Sequence, residues 1–412
     1  MADLHAHRGG PARRDLLRGA VFGYGLGLIS AGAAPVVFSH PAQAASATGG
    51  ERILVIVELS GANDGLNTVV PFADDAYYRA RPRLSLPAKN LRKIDDRFGF
   101  PAPMAGFERL YKDGHMAIVH GVGYEHPSFS HFSSMAYWHT GAPNSGDAYG
   151  WLGRLADAID PIDSAEYLVN IQSGQSLAVR AKRHVPLVFD DPAQFTRGAA
   201  AEEQAALRAL AGGAAPSNAT EEFLFGVASS AQHAEQRVHA ACAGYHPPVD
   251  YGLVRFGLDR VAALIANNFA TRIYYVSFPH NAFDTHVYQM DTHVRLLTYV
   301  SDHIGAFMTD MQRLGRSDDV TVMVFSEFGR RVGENANLGT DHGTAGPVFV
   351  IGARVRGGQF GAMPSLADLD DGNLRYTVDF RRIYATLIAQ WMDYADTAAV
   401  LRQEFAAFDM FS

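Results

Sequence analysis

The chain has 412 residues, of which 48% are hydrophobic and 19% are charged, and its formal net charge is −8 at pH 7. This composition is typical of a globular protein, and without a broad basic field the chain is a poor partner for nucleic acid or anionic lipid. Its one cysteine, Cys242, excludes an intramolecular disulfide bond.

The N-terminal segment has the three parts of a twin-arginine export signal. Arg13-Arg14 precedes an uncharged apolar stretch, rich in glycine and alanine, over residues 19–38. The small residues Ala42-Gln43-Ala44 match a signal-peptidase site, which predicts a signal peptide over 1–44. We expect the twin-arginine translocase to deliver a folded protein to the periplasm or the medium, with no stable membrane insertion after cleavage. An uncleaved membrane anchor is the alternative, because the apolar stretch is just long enough to span a bilayer.

Apolar runs that suit buried strands alternate with amphipathic stretches along the rest of the chain. The clearest strand is 52–59, a continuous apolar run rich in β-branched residues. Further strands are predicted at 116–122, 167–171, 273–278, 320–325 and 348–351, and helices at 107–111, 259–269, 294–314 and 379–391. The alternation predicts a single α/β domain over 45–412, with a mostly parallel central sheet flanked by helices on both faces. Such sheets bind ligands at the carboxyl ends of their strands, whereas the Ala-, Glu- and Gln-rich stretch 196–241 is predicted to form surface helices without chemistry.

Candidate site residues follow the first two predicted strands. Asp64 lies in the turn after the first strand, where it is a candidate metal ligand. An Asn-Asp-Gly turn chosen for its backbone geometry is the alternative. Ser130 and His131 follow the second strand, and a hydroxyl beside an imidazole suggests a nucleophile or a metal-associated group. Alternatively, Ser130 caps a helix, whose dipole attracts anions at that position.

A later strand end carries a short chelating motif. Asp284 and His286 follow the strand 273–278 with one residue between them, so both point the same way from an extended segment. A carboxylate with an imidazole suits zinc, manganese or iron-type ions. A surface loop is the alternative.

The densest group of polar residues follows the strand 320–325. Glu327 and His342 are candidate metal ligands. Asp341 is either a ligand or an outer partner that orients His342, and Arg330, or Arg331 beside it, can hold an anionic oxygen. The alternatives are a surface Arg–Glu pair and a simple Gly-Thr-Asp-His-Gly turn. Because such groups recur at several strand ends, we favour a shared site.

Six motifs together resemble one bacterial family. They are Gly61-Ala62-Asn63-Asp64-Gly65-Leu66-Asn67-Thr68, Ser130-His131-Phe132, Gly150-Trp151-Leu152-Gly153-Arg154, Asp284-Thr285-His286, Ser326-Glu327-Phe328-Gly329-Arg330 and Gly339-Thr340-Asp341-His342-Gly343. Over nearly the whole chain they resemble the exported domain-of-unknown-function family 1501, which is similar in turn to the alkaline phosphatase and sulfatase superfamily. That resemblance implies metal ions at the ends of a parallel sheet and a hydroxyl nucleophile.

The resemblance also implies roles for single residues. Asp64 resembles the metal ligand after the first strand, and Ser130 stands where a serine or threonine nucleophile begins a helix. The pair Asp284 and His286 resembles an Asp–His ligand pair of the superfamily. In the superfamily's Ser-Asp-His-Gly motif, Glu327 resembles the Asp. His342 resembles the superfamily's final His ligand.

Two positions depart from the superfamily pattern. Phe328 stands where the motif has a His. The spacing after Asp284 is shorter than usual, and Tyr288 occupies the place of the expected His. Both departures argue against a full two-metal site.

These observations predict a metal-dependent hydrolase of phosphate or sulfate esters. A divalent ion, zinc, manganese or calcium, stabilises developing negative charge, Ser130 or water attacks with His131 beside it, and Arg330 holds the non-bridging oxygens. The expected substrate is a small anionic or glycan-linked ester. The alternatives are a non-catalytic exported binding protein on the same fold, which Phe328 favours, and a metal enzyme with non-hydrolytic chemistry.

Overall fold

The structure, a computed structural model, describes residues 52–162, 164, 166–195 and 233–412. The predicted signal peptide, its cleavage site and most of the stretch 196–241 lie outside these residues. The described residues fall into two units, a larger one formed by those up to 191 and from 241 onward and a smaller one formed by those within 192–240. In the second unit the described part comprises the 3-10 turn Pro192–Gln194 and the helical residues 233–240. The single domain over 45–412 stays a prediction.

A mixed sheet forms the centre of the larger unit. The strands of the described ranges are β1 (Ile53–Leu59), β2 (Leu91–Lys93), β3 (Gly99–Pro101), β4 (Met116–Gly123), β5 (Leu168–Ile171), β6 (Leu187–Phe189), β7 (Ile273–Phe278), β8 (Val320–Phe325), β9 (Gly346–Ile351), β10 (Gly358–Phe360), β11 (Leu369–Asp370), β12 (Asn373–Leu374) and β13 (Val378–Asp379). Nine of these described strands form the sheet, in the order β10-β4-β9-β8-β1-β7-β5-β6, with β13 also paired to β4. In register, Val55 of β1 lies between Tyr274 of β7 and Val322 of β8.

The strand directions confirm the predicted α/β class. Within the described sheet the pairings are parallel, apart from those of β9, which runs antiparallel to β4 and β8. The six predicted strands correspond to β1, β4, β5, β7, β8 and β9. Their continuous apolar sequences fit because helices cover the sheet on both sides.

The helices of the larger unit lie on both faces of the sheet. They are α1 (Asp75–Ala80), α2 (Ala105–Lys112), α3 (His131–Thr140), α4 (Trp151–Ile159), α5 (Leu258–Ala266), α6 (Gln289–Arg313), α7 (Arg381–Thr386) and α8 (Thr397–Leu401). Strand side chains alternate between the faces. On one face Leu54 joins a core that includes Trp138 of α3 and Trp151 of α4. On the other, Phe349 of β9 packs against Phe107 of α2, and both α2 and α5 pack on the long helix α6.

The four predicted helices overlap α2, α5, α6 and α7, the last extended by the π-helical turn Leu387–Trp391. Helix α4 is not predicted because Gly153 weakens its pattern. The structure explains this glycine: a Cβ on Gly153 would lie 2.3 Å from the carbonyl oxygen of Arg180, so only glycine allows this approach. Within the described ranges, no helix combines the length and the apolar character needed to cross a membrane.

A buried histidine links α4 to a neighbouring loop. His184 contacts two carboxylates, with Nδ1 2.9 Å from Asp157 and Nε2 3.1 Å from Asp160. Burial lowers the pKa of His184, but the two hydrogen bonds outweigh this effect and raise the pKa above its ordinary value. Because both ring nitrogens face acceptors, the imidazolium is the form that the site stabilises.

We therefore expect His184 to stabilise the protein in a defined pH range. A histidine with a raised folded pKa contributes its full stability below its unfolded pKa of about 6.5 and loses it as pH rises through the folded value. The difference in free energy of unfolding between wild type and His184→Gln should be largest near pH 6 and should shrink at alkaline pH. Urea unfolding at several pH values measures it, and a difference independent of pH above 6 contradicts the prediction.

The sheet brings the polar strand ends to one edge. Strands β1, β7 and β8 are parallel neighbours, so the segments after them emerge together. Because β9 is antiparallel to β8, the loop 326–345 leaves and re-enters at that same edge. Its two arms pair through a bridge between Arg330 and His342, and a Cβ on Gly343 would lie 2.3 Å from the carbonyl carbon of Arg330. Loops that carry predicted candidate residues thus leave the sheet at the same edge.

Candidate metal centre

Side chains from three loops converge beyond the strand ends. The ligand atoms of His131, Asp284 and His342 lie within 4.8 Å of one another. His286 adjoins them, with Nε2 2.9 Å from Nε2 of His342 and 3.0 Å from Oδ1 of Asp284. On a tetrahedral ion with bonds of about 2.0–2.1 Å, ligand atoms are about 3.3 Å apart. His131, Asp284 and His342 are therefore close enough to share one cation, and His286 stands beside them. We call these four residues the His–Asp cluster.

The outward nitrogen of each imidazole in the His–Asp cluster contacts an acceptor. Nδ1 of His131 lies 2.7 Å from Oε1 of Glu327, and Nδ1 of His342 lies 2.8 Å from the carbonyl oxygen of Phe129. Nδ1 of His286 lies 3.4 Å from Oδ1 of Asp341. Carboxylates and carbonyls only accept, so each Nδ1 carries a hydrogen, and the neutral form of each ring has the lone pair of Nε2 turned inward.

One nitrogen of the His–Asp cluster tests whether these residues fit a metal ion. Nε2 of His131 is buried and has no hydrogen-bond partner among the described residues, although it lies 3.4 Å from Oδ2 of Asp284. In the neutral ring a lone pair there faces a carboxylate, and either a proton on Nε2 or a metal cation between the two groups relieves the repulsion. The residues present therefore fit a divalent ion bound by imidazole nitrogen and carboxylate oxygen.

The charge states of the His–Asp cluster follow from its contacts. Burial raises the pKa of Asp284, but the hydrogen bond and charge of Arg330 outweigh it, so the pKa lies below its ordinary value. Burial lowers the pKa of His342. The hydrogen bond to Glu327 raises the pKa of His131. An anionic Asp284 and a neutral His342 are the forms that bind metal ions.

Glu327 and Asp341 occupy outer positions in this arrangement. Glu327, expected as a ligand, has a fully buried side chain and accepts from the backbone N–H of Gly61 at 2.9 Å as well as facing His131. Asp341 contacts His286, and not His342 as expected. Both carboxylates thus orient imidazoles, which is a common feature of protein metal sites.

Arg330 differs most from its expected role. Its side chain is fully buried, and its donors reach the carbonyl oxygens of Ala62, Gly61, Phe283 and Thr340. It also contacts Oδ1 of Asp284 at 2.8 Å and Nε2 of His286 at 3.3 Å. Because its N–H groups are directed at acceptors within the protein, we infer that Arg330 is a positioning residue for the loops and for Asp284 rather than a group that holds substrate oxygens.

A family model described as "Protein of unknown function (DUF1501)" matches residues 51–403. The chain belongs to this family. The family named in the sequence analysis is thereby confirmed. No curated protein matches the chain in sequence.

Several solved structures resemble this DUF1501 protein. A protein in the alkaline phosphatase superfamily from Vibrio parahaemolyticus is 10% identical, with 87% of this chain and 72% of that chain covered and a TM-score of 0.37. The PsFucS1 sulfatase from Pseudoalteromonas sp. is 11% identical, with 87% and 71% covered and a TM-score of 0.38. The phosphonate monoester hydrolase SpPMH from Silicibacter pomeroyi is 10% identical, with 87% and 78% covered and a TM-score of 0.35. At such low identity the likeness does not extend to the reaction.

Asp64 of this DUF1501 protein lies in a buried ion pair. Its Oδ2 is 2.6 Å from Nη1 of Arg81, both side chains are 0% exposed, and Gln289 donates to the same oxygen. Burial raises the pKa of Asp64, but the Arg81 charge outweighs it and the pKa is lowered. We infer that Asp64, expected as a ligand, instead stabilises the turn after β1.

Ser130 takes the alternative role that the sequence left open. It is exposed and precedes α3 as its N-cap, where Oγ accepts from the N–H of Ser133 at 3.5 Å. Its neighbour His131 enters the His–Asp cluster. The nucleophilic role of Ser130 stays a prediction.

Phe328 and Tyr288, the two positions that depart from the superfamily pattern, have different surroundings in the structure. The Phe328 ring is buried, 5.0 Å from the His131 ring and 4.8 Å from the His342 ring, so it forms an apolar floor for both imidazoles. The Tyr288 side chain is 73% exposed. Neither position adds a second set of donors, which agrees with a single metal site.

Sequence reasoning missed partners whose contacts depend on tertiary structure. The carbonyl of Phe129 has no sequence signal, because every residue has one. Asn335, which donates to Asp341 at 3.0 Å, lies in an irregular loop. Arg81, which pairs with Asp64, lies outside the six family motifs. Only the fold brings these groups together.

Proposed function

We propose that this DUF1501 protein is a single-metal hydrolase of phosphate or sulfate esters that works after export. The observation that carries the proposal is the convergence of three imidazole Nε2 atoms and the Asp284 carboxylate, each imidazole oriented by an outer acceptor. The export part rests on the twin-arginine signal of the sequence. The ester class rests on the resemblance of the motifs to the alkaline phosphatase and sulfatase superfamily.

The donor set narrows the choice of metal. His131, His286 and His342 offer nitrogen, and Asp284 offers oxygen. Imidazole suits zinc and related ions, whereas calcium takes six to eight oxygen ligands. We therefore favour zinc or manganese over calcium. A bound ion of this kind lowers the pKa of a water molecule or hydroxyl and stabilises negative charge on an ester oxygen.

The chain's own residues then prepare the site. Glu327 keeps the hydrogen of His131 on Nδ1, and Arg330 holds Asp284 anionic and in place. Because the Arg330 side chain is buried and its N–H groups are directed mainly at protein oxygens, we assign attraction of the anionic group to the positive end of α3, which begins at His131. Ser130, at the same helix end, is exposed and can reach substrate, with water as the other candidate nucleophile.

A non-catalytic exported binding protein is the second candidate. The engagement of Arg330 with protein acceptors and the apolar Phe328 favour it, since neither residue can stabilise a transition state directly. In that case the same cation would order the loops without turnover.

Elemental analysis followed by an ester panel tests the proposal. We expect the exported chain to retain about one zinc or manganese ion and to hydrolyse a phosphate or sulfate monoester in a reaction that chelation stops and metal restores. Ser130→Ala, compared with the exposed control Ser173→Ala, distinguishes the nucleophile: loss of activity only in Ser130→Ala assigns attack to Ser130, and retention assigns it to water. A metal-loaded wild type that is inactive on the whole panel favours the binding protein.

A further inference from the structure

Exposed apolar side chains border the His–Asp cluster on two sides. In the described part of the chain, four large ones adjoin cluster residues in sequence or through a backbone contact: Phe129, Phe132, Val287 and Tyr288, which are 43%, 88%, 53% and 73% exposed. We call these four side chains the apolar rim. Singly exposed apolar residues are ordinary on a protein surface, but a group around a polar site marks an interaction surface.

The backbone holds the rim firmly to the candidate centre. The carbonyl of Phe129 accepts from His342, and Phe132 follows His131 in the first turn of α3. The other side of the rim follows His286 directly. The His342 ring lies 4.5 Å from the His131 ring and 4.7 Å from the His286 ring, so the two segments that carry the rim both adjoin the same group of imidazoles.

Tyr288 is presented in a strained conformation. Its φ is +46°, in the left-handed region that residues other than glycine and asparagine avoid. The N–H of Tyr288 donates to the carbonyl of Asn337 at 3.0 Å, and the next N–H, of Gln289, donates to Leu338 at 2.8 Å. Strain of this kind concentrates at functional sites. The loop therefore fixes an exposed aromatic ring beside the cluster at a cost in stability.

We propose that the apolar rim binds the organic part of the ester and makes the site specific for esters whose alcohol carries an apolar-faced ring. This inference rests on the proposed function. An anionic ester group at the His–Asp cluster leaves its alcohol between the two sides of the rim, where Phe and Tyr offer flat apolar faces. Aromatic rings stack on such faces, and a sugar ring presents its C–H face to them in the same way.

Two esters with alcohols of similar acidity test the proposal: benzyl phosphate and ethyl phosphate, together with the corresponding sulfates. With metal-loaded wild type we expect a higher kcat/KM for the benzyl ester. Phe132→Ala and Tyr288→Ala should each lower the benzyl-to-ethyl ratio about two- to tenfold, the effect of one lost aromatic contact. A hexose phosphate compared with ethyl phosphate then separates a sugar from an aryl substrate.

Leu253→Ala is the matched control. Leu253 is 90% exposed and follows Gly252, which lies beside Asp302 of α6. Along α6, Asp302 lies about 20 Å from Gln289, and Gln289 is the residue that follows Tyr288 of the apolar rim. The control should keep the wild-type ratio, and unfolding midpoints should show that all three variants are folded.

Binding of benzylphosphonate and ethylphosphonate separates failure of this inference from failure of the proposed function. Preferred binding of benzylphosphonate that depends on Phe132 supports the rim even where no ester is hydrolysed. Hydrolysis of both esters with equal kcat/KM, unchanged in the rim variants, contradicts the role of the rim in substrate binding but agrees with the proposed hydrolase activity. A wild-type dimer that Phe132→Ala dissociates also contradicts that role of the rim, since the rim then binds a second copy.

Discussion

On the proposed function, Asp284→Asn is expected to abolish metal binding at the His–Asp cluster. Oδ1 of Asp284 lies 3.0 Å from Nε2 of His286 and 3.2 Å from Nε2 of His342, while Oδ2 faces His131. Asparagine keeps the size of the side chain but offers one neutral oxygen, so the charge at the centre of the cluster is lost. We expect metal affinity to fall by more than the roughly 10–100-fold that loss of an outer partner costs. Elemental analysis after dialysis and competition with a chelating dye measure the change.

Asp341→Asn is the matched control for this substitution. It makes the same chemical change in the outer partner of His286, 3.4 Å away, and should weaken metal binding about 10–100-fold. Added metal should raise the unfolding midpoint of wild type by mass action, and should do so least in Asp284→Asn. An effect in Asp341→Asn as large as in Asp284→Asn contradicts the assignment of Asp284 as the central ligand.

Arg81→Met is expected to cause the largest loss of stability. Arg81 and Asp64 form an ion pair of 2.6 Å with both side chains 0% exposed, and Arg81 also donates to the carbonyl of Val332. Methionine fills similar space but leaves the Asp64 carboxylate buried and unpaired. Breaking a buried pair on one side costs about 3–5 kcal/mol in free energy of unfolding. Urea unfolding at pH 7 measures it.

The pH dependence gives a second measurement on the same variant. In wild type the lowered pKa of Asp64 contributes stability above its unfolded pKa of about 3.9 and loses it as pH falls. Without Arg81, burial raises that pKa, so Asp64 protonates more readily. The gap between wild type and Arg81→Met should narrow on acidification.

Arg375→Met is the control, because Arg375 forms an exposed pair with Asp368 and should have little effect on stability. Asp64→Asn combined with Arg81→Met should be more stable than Arg81→Met alone, since no charge is then left unpaired. A loss in Arg81→Met no larger than in Arg375→Met contradicts the structural role of the pair.

The strands of the sheet could be predicted from the sequence because each one is marked by the hydrophobic pattern of its own residues. The run Ile53–Leu59 is apolar and rich in β-branched residues apart from Glu58, which predicts a strand with both faces covered, and β7 and β8 are mostly apolar in the same way. The antiparallel direction of β9 has no such signal. It depends on the loop 326–345 folding back on itself, with Arg330 bridged to His342.

The candidate site likewise has features that the sequence predicts and features that only the structure shows. Residue types at strand ends predicted where polar groups gather, and His131, Asp284, His286 and His342 do meet there. Sequence could not tell a ligand from an outer partner, because Glu327 and Asp284 are both carboxylates at strand ends. The difference is that Glu327 is buried against His131 Nδ1 and Gly61, whereas Asp284 faces the Nε2 atoms.

By itself, then, the sequence determined the α/β sheet, the family and the edge at which chemistry-bearing residues collect, since hydrophobic pattern and motif spacing are properties of neighbouring residues. It also predicts export, through a signal that precedes the described residues. Tertiary structure decided how each polar group is used. The N–H groups of Arg330 donate mainly to backbone carbonyl oxygens, Asp64 pairs with Arg81, and Ser130 caps α3. These roles depend on tertiary structure because hydrogen-bond partners distant in sequence are fixed only when the loops pack together.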